Sequence, residues 1–276
     1  MANANDGFID AHVHVWTPDT DKYPQRGRPH NPLSFTPDEL MALARQSGVS
    51  RVVLIQAGQY ATDNSYMFWA MENYPGTFSG VAVIDASKNA RQTMREFYKK
   101  GVRGYRIVPR NDPQGWLDKP EMAEMWAEGA DTGAAMCPLI NPDALPAVGR
   151  MCVKYPRTPV VIDHIARIGA TGTVNKEDVD ALCALAKHAN VHVKISAFYA
   201  LGRKQPPYRD LAPLIRRVVD AYGANRLMWA SDCPYQALPP HSYAASIDLI
   251  RSGLSFLKDE DRRWILRGTA ERVFFS

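Results

Sequence analysis

The chain has 276 residues and is 46% hydrophobic, enough to bury a sizeable core as one large domain. Its 33 Lys and Arg against 29 Asp and Glu leave a net charge of +4, dispersed without any block of five or six like charges, which argues against nucleic-acid and membrane-surface roles. The four cysteines (137, 152, 183 and 233) form no C-x-x-C pair, no apolar run approaches the roughly 20 residues that span a bilayer, and the first residues lack the basic start and apolar core of a signal peptide, so a cytoplasmic protein with reduced thiols is the expectation.

The first predicted element, a strand over Phe8–Val15, carries Ile9-Asp10-Ala11-His12-Val13-His14-Val15-Trp16. On a strand, residues i and i+2 share a side, so His12 and His14 project together, as a bidentate metal or oxyanion site requires. By the same alternation Asp10 is expected on that side, one step deeper, to orient a histidine or pair with a buried arginine. A long loop, Thr17–Phe35, rich in Pro and charge, follows directly; loops of this length after a strand are more often functional than structural. Thr36-Pro37-Asp38-Glu39 then reads as a capping box, and Gly48 as the stop of the helix it opens.

Seven further apolar runs follow: Arg51–Gln56, Phe78–Ile84, Arg103–Val108, Ala134–Ile140, Pro159–Ile165, Val191–Ala197 and Arg226–Asp232. They are short and rich in Val and Ile, as parallel strands buried on both faces should be. Helical patterns separate them, beginning near Asn64, Asn89, Pro120, Pro142, Lys176, Asp210 and Ser242, and Asp259–Phe274 closes the chain. Eight strands alternating with helices predict an α/β fold, a (β/α)₈ TIM barrel in a single domain over residues 1–276. An open doubly wound sheet is the competing architecture, but it needs a Gly-rich first turn, and no G-x-G-x-x-G is present.

The candidate site residues fall at strand ends. His12 and His14 are joined by His164, which ends the sixth run, and by Asp232, which ends the eighth. If His164 faces inward, alternation turns Asp163 away. Asp232 is costly to bury unless paired or functional, and beside imidazoles it should be ionised and able to take a proton from water; the plain alternative is an N-cap for the next helix. Arginines also collect there: Arg106 and Arg110 after the fourth run, Arg167 after the sixth and Arg203 after the seventh. Arg binds carboxylates in a fork, so the set suggests a clamp for a small anionic substrate, with Arg106 foremost because it sits inside its strand; singly, each reads as a solvated loop charge. Gln56 and Tyr199 stand at equivalent strand ends and are further candidates for substrate contact. His188, His192 and His241 read as peripheral.

These segments together resemble the amidohydrolase superfamily, in particular the amidohydrolase-2 branch of TIM-barrel metal-dependent hydrolases. The matching pieces are IDAHVHVW (9–16), PVVIDHIAR (159–167), RLMWASDCPY (226–235) and ILRGTAERVF (265–274), spread over essentially the whole chain. Within that branch the chain most resembles the lactonase group, which includes 2-pyrone-4,6-dicarboxylate lactonase and 4-sulfomuconolactone hydrolase. The resemblance implies hydrolysis of a carboxylate- or sulfonate-bearing lactone, as in the catabolism of aromatic compounds. It implies His12, His14, His164 and Asp232 as the catalytic core, and as the ligands of one zinc ion per chain if the protein follows the members that use zinc rather than those that use no metal. It also implies that the His164 equivalent belongs on a fifth strand, which would make one run surplus. The next run has no His (Lys194-Ile195-Ser196-Ala197-Phe198), which argues against a binuclear site. Two other functions are kept open: a zinc-dependent decarboxylase of an aromatic or enoic acid, and a ligand-binding barrel without catalysis. The sequence leaves the oligomeric state undetermined.

Overall fold

A computed structural model describes residues 7–27, 30–109 and 111–276. Eight strands form one parallel sheet in chain order: β1 (Phe8–Val13), β2 (Val49–Ile55), β3 (Phe78–Ala82), β4 (Val102–Ile107), β5 (Ala135–Pro138), β6 (Val160–Ile162), β7 (Val191–Ser196) and β8 (Leu227–Ala230). Every predicted run is a strand, so none is surplus, and His164 follows the sixth strand. Beyond the ends of β8 and β1 the backbone closes the ring: Asp232 N–H donates to the His12 carbonyl at 2.9 Å, and His14 N–H donates to the Cys233 carbonyl at 2.9 Å. This is the (β/α)₈ barrel.

Helices fill the outer ring. The first, α1 (Pro37–Gln46), opens on the capping box, with Glu39 N–H donating to Thr36 Oγ1 and Thr36 N–H donating to the Glu39 carboxylate. Gly48 follows in the left-handed region, φ +79°, and ends the turn where a side chain would be strained. Next come α2 (Ser65–Asn73), α3 (Ala90–Lys99), α4 (Pro120–Thr132), α5 (Leu145–Lys154), α6 (Lys176–Ala184), α7 (Ala212–Tyr222) and α8 (Tyr243–Asp248). The predicted helix at 259–274 is a helical run of one short helical turn, Asp259–Arg263, a π-turn at Trp264–Gly268, and α9 (Thr269–Phe274). Among the described residues no helix is long and apolar enough to cross a membrane.

Two apolar layers result. The larger lies between the barrel and the helices and holds the outward residues Val52, Leu54, Val193, Ile195, Leu227 and Trp229. The smaller fills the barrel: Ile9, Ala11, Val53, Ile55, Val81, Ala135, Cys137, Val161, Met228 and Ala230, sealed from below by Ala270 and Phe274 of α9. Above this apolar plug the inward positions become polar. That is the C-terminal end of the strands, where barrels of this type carry their sites.

One irregularity decides which way the histidines point. Between Asp10 and Val13, β1 has one residue more than its partner, β2, between Val52 and Leu54. Such a bulge reverses the alternation. Ile9 and Ala11 face into the barrel below it, and His12 and His14 do so above it. Asp10 therefore faces outward, contrary to the expectation from simple alternation. It accepts hydrogen bonds from Ser231 N–H (2.9 Å), His12 N–H (3.2 Å) and the Tyr243 hydroxyl (2.9 Å), pinning β1 to β8. It touches neither a histidine ring nor an arginine in these contacts, and burial raises its carboxyl to about 6.

Candidate active site

Four of the sequence candidates meet over the barrel plug. His12 Nε2 and His14 Nε2 lie 3.3 Å apart, and Asp232 Oδ1 stands 3.5 and 3.4 Å from them. His164 approaches from the other side, its Nε2 3.7 Å from Asp232 Oδ2 and its ring 4.4 Å from that of His12. All four residues are buried.

Each ring is held through its second nitrogen or its neighbours. The Ile55 carbonyl lies 2.9 Å from His14 Nδ1 and can only accept, so His14 carries its proton on Nδ1. Arg106 Nη2 lies 2.8 Å from His12 Nε2 and can only donate, so Nε2 accepts, while Nδ1 faces Asp163 Oδ1 at 3.2 Å and Lys194 Nζ at 3.3 Å. Both rings turn Nε2 toward Asp232. Ser196 Oγ holds His164 Nδ1 at 2.8 Å.

Asp232 is aimed rather than spent on its backbone. Ser231 Oγ accepts from Cys233 N–H at 3.0 Å and serves the turn instead. The Tyr199 hydroxyl donates to Asp232 Oδ2 at 2.8 Å, and Oδ1 is buried with no hydrogen-bond donor. Burial would raise the Asp232 carboxyl, but His164, His14 and His12 outweigh it and hold the group well below the usual carboxylate range. Burial keeps His12 and His164 below the ordinary histidine value of 6.5; Lys194 reinforces this at His12 against the pull of Asp163. Burial and the Asp232 charge push the Tyr199 hydroxyl up, so it remains a donor.

Beneath the histidines lies an ionic layer that sequence reasoning missed. Asp163 Oδ1 lies 3.0 Å from Lys194 Nζ, and Asp163 Oδ2 accepts from Arg106 Nη2 at 3.1 Å. Asp163 and Lys194 are fully buried, and Lys194 Nζ also sits 5.4 Å from the centre of the Phe274 ring. Burial would raise the Asp163 carboxyl, yet Lys194, His12 and Arg106 keep it well below its normal range. The signal for Lys194 was its phase: His192, Lys194 and Ser196 are polar at alternate positions of a strand otherwise built from Val and Ile. Asp163 was assigned to the wrong side because the strand ends at Ile162. His164, Ile165, Ala166 and Arg167 then adopt φ of +54°, +52°, +51° and +55°, a left-handed turn in which alternation no longer applies. Consecutive residues 163 and 164 consequently both reach the centre.

A cavity of about 380 Å³ opens above these groups, lined by His14, Arg106, His164, Tyr199 and Asp232 together with His30, Arg167 and Tyr235. His30 comes from the Thr17–Phe35 loop, whose ends are paired through Trp16 and Phe35. Two candidates are not brought to this cavity. Arg203 is exposed, and its backbone N–H is bound to Asp210. Gln56 is one residue past the inward Ile55, so its amide points outward and donates to the Ala61 and Asp63 carbonyls. Arg110 lies outside the described residues.

The donor set suits a metal ion. Ligands about 2.0–2.1 Å from a tetrahedral zinc stand roughly 3.3–3.4 Å apart, close to the spacing of His12 Nε2, His14 Nε2 and Asp232 Oδ1. Arg106 Nη2 donates to His12 Nε2, while Asp232 Oδ1, the carboxylate oxygen of the trio, is buried with no donor of its own. Among the described residues these three form the group whose donor atoms converge closely enough to hold an ion, and His164 stands beside it.

Comparison with known proteins agrees with this construction. The chain is 29% identical over 240 residues to L-fucono-1,5-lactonase of Burkholderia ambifaria, covering 84% of this chain and 82% of that one. It is 28% identical over 277 residues to 4-sulfomuconolactone hydrolase of Hydrogenophaga intermedia, covering 97% and 88%. The fold matches that of an amidohydrolase from Burkholderia multivorans, crystallised with bound zinc, at a TM-score of 0.81 and 21% identity over 97% of this chain and 99% of that one. The family model for amidohydrolases matches residues 9–275. A match that runs from the first strand to the helix beneath the barrel places this chain in the amidohydrolase family.

Proposed function

We propose that the protein hydrolyses a small anionic lactone, with Asp232 as the general base. The observation that carries this reading is the ionised, buried Asp232 carboxylate, whose Oδ1 has no donor of its own and faces a cavity that Arg106 and Arg167 make cationic. Tyr199 holds Oδ2 and so directs Oδ1 at the water to be deprotonated. Arg106 and Arg167 bind the carboxylate or sulfonate of the substrate and set the ring carbonyl over the histidines. His164, steadied by Ser196, stands against the other edge of Asp232 and supports the developing oxyanion.

His12, His14 and Asp232, with His164 beside them, are the residues that would hold one zinc ion. Bound there, zinc would polarise the carbonyl and lower the pKa of water. The lactone-acting curated relatives favour ester hydrolysis over decarboxylation, and a buried base at the floor of a cationic cavity favours catalysis over simple ligand storage.

The test is a pH-stat screen of carboxylate- and sulfonate-bearing lactones with the wild type and Asp232→Asn, together with the metal content of both. Acid release by the wild type, reduced at least roughly 10²-fold in the variant with an unchanged circular dichroism spectrum, is expected. Near-normal turnover in Asp232→Asn would remove the base assignment, and CO₂ release without acid production would replace hydrolysis by decarboxylation.

A further inference from the structure

Arg106 holds a position that substrate binding alone does not explain. Its Nη2 is shared between His12 Nε2 at 2.8 Å and Asp163 Oδ2 at 3.1 Å, while its Nε is buried and donates to nothing. Its side chain is only 11% exposed, so it is packed into this arrangement. An imidazole nitrogen has one lone pair, in the plane of the ring. The lone pair of His12 Nε2 that receives the guanidinium is the same one that completes the triangle with His14 Nε2 and Asp232 Oδ1. Arg106 therefore competes with a metal ion twice, once for the lone pair and once through its own positive charge.

Building on the reading of that triangle as a metal site, we infer that Arg106 couples metal binding to substrate-anion binding. The guanidinium caps His12 in the absence of an anion. A carboxylate or sulfonate entering the cavity engages the guanidinium and draws it away from His12. The freed lone pair then serves the metal, and the anion neutralises the charge that opposed it. The His12 ring itself stays in place, because Ile162 leads straight into Asp163, which Lys194 holds at 3.0 Å, and Asp163 holds Nδ1. Linkage makes the effect reciprocal: metal raises anion affinity by the same factor as anion raises metal affinity.

The experiment is calorimetric titration of chelator-stripped wild type and Arg106→Met with Zn²⁺, with and without isophthalate, a dicarboxylate that has no ester to cleave. Blank titrations of Zn²⁺ into isophthalate are subtracted. In the wild type, isophthalate is expected to tighten Zn²⁺ binding on the order of tenfold, and Zn²⁺ to tighten isophthalate binding equally. Arg106→Met is expected to bind Zn²⁺ on the order of tenfold more tightly than the wild type without anion, and to show no coupling. Equal Zn²⁺ affinity in the two proteins, with no effect of isophthalate on the wild type, overturns the coupling and leaves the metal site standing. Failure of isophthalate to bind the wild type overturns the coupling as well. Absence of Zn²⁺ binding in both proteins overturns the metal site itself. If Arg106→Met does not fold, the two wild-type titrations decide alone, since reciprocity is read without a variant.

Discussion

At the scale of single residues, the centre is a set of protonation states held in place by neighbours. Asp232 is held ionised, while burial holds His12 and His164 below the ordinary histidine range. The active form therefore persists as the pH falls through the ordinary histidine range. The expected pH–rate profile is flat from about pH 8 down to 6.5, with its acid limb below 6.5. A steady-state profile in which kcat falls with an apparent pKa at or above 6.5 would show that an imidazole must lose a proton in the working range, contrary to this account. The four residues of the centre were legible in the sequence because a polar side chain that ends an apolar strand is conspicuous. Lys194 was not, because a lysine inside a strand reads as solvated until its partner, Asp163, is found at the end of the neighbouring strand. Arg203 and Gln56 show the opposite error: standing just past a strand's end in sequence does not bring a side chain into the cavity.

At the scale of elements, two local departures from regularity place the side chains. The bulge in β1 turns His12 and His14 inward and Asp10 outward. The turn at 164–167 sets Asp163 and His164 side by side. Four successive non-glycine residues in the left-handed region cost about 1–2 kcal/mol each, so the surrounding packing must hold them. Ala166, fully buried at φ +51°, tests this. Ala166→Gly is expected to be near neutral in urea unfolding, because relief of about 1 kcal/mol offsets the lost buried methyl. Ala166→Val is expected to cost about 2–3 kcal/mol and to lower kcat by displacing His164, because a β-branched residue fits that φ poorly and the side chain is fully buried. A large loss of stability from the glycine variant would mean that the turn is not under strain. Period-2 reasoning locates strands well and fails at their ends, where both of these features lie.

At the scale of the whole molecule, the alternating pattern made the barrel legible from end to end, since strands buried on both faces leave uninterrupted Val and Ile runs. The floor of the barrel was less so. It depends on α9, whose Glu271 is bound by Arg51 from β2 and by Arg267. Those arginines, Arg267 foremost, lower the Glu271 carboxyl from 4.5 to about 2. Because the folded group ionises below the unfolded one, its contribution is complete above about pH 4.5 and is lost as the pH falls toward 2. Thermal melts of the wild type and Glu271→Gln are therefore expected to differ at pH 7 and to converge across that acid window. A difference that persists unchanged to the acid end would assign the effect to packing rather than charge.

The closure of the ring also bears on how the chain is made. Asp10 and Ser231, which join β1 to β8, are 221 residues apart, so their contact is among the most non-local in the molecule. Contacts of that kind form late, because the loop-closure entropy must be met before they return anything. His12 and His14 are synthesised long before Asp232, and they have no carboxylate to face until β8 has left the ribosome and docked. An unfinished or mispaired chain holds the histidines without the carboxylate, so under the role proposed for Asp232 turnover would report that the ring has closed.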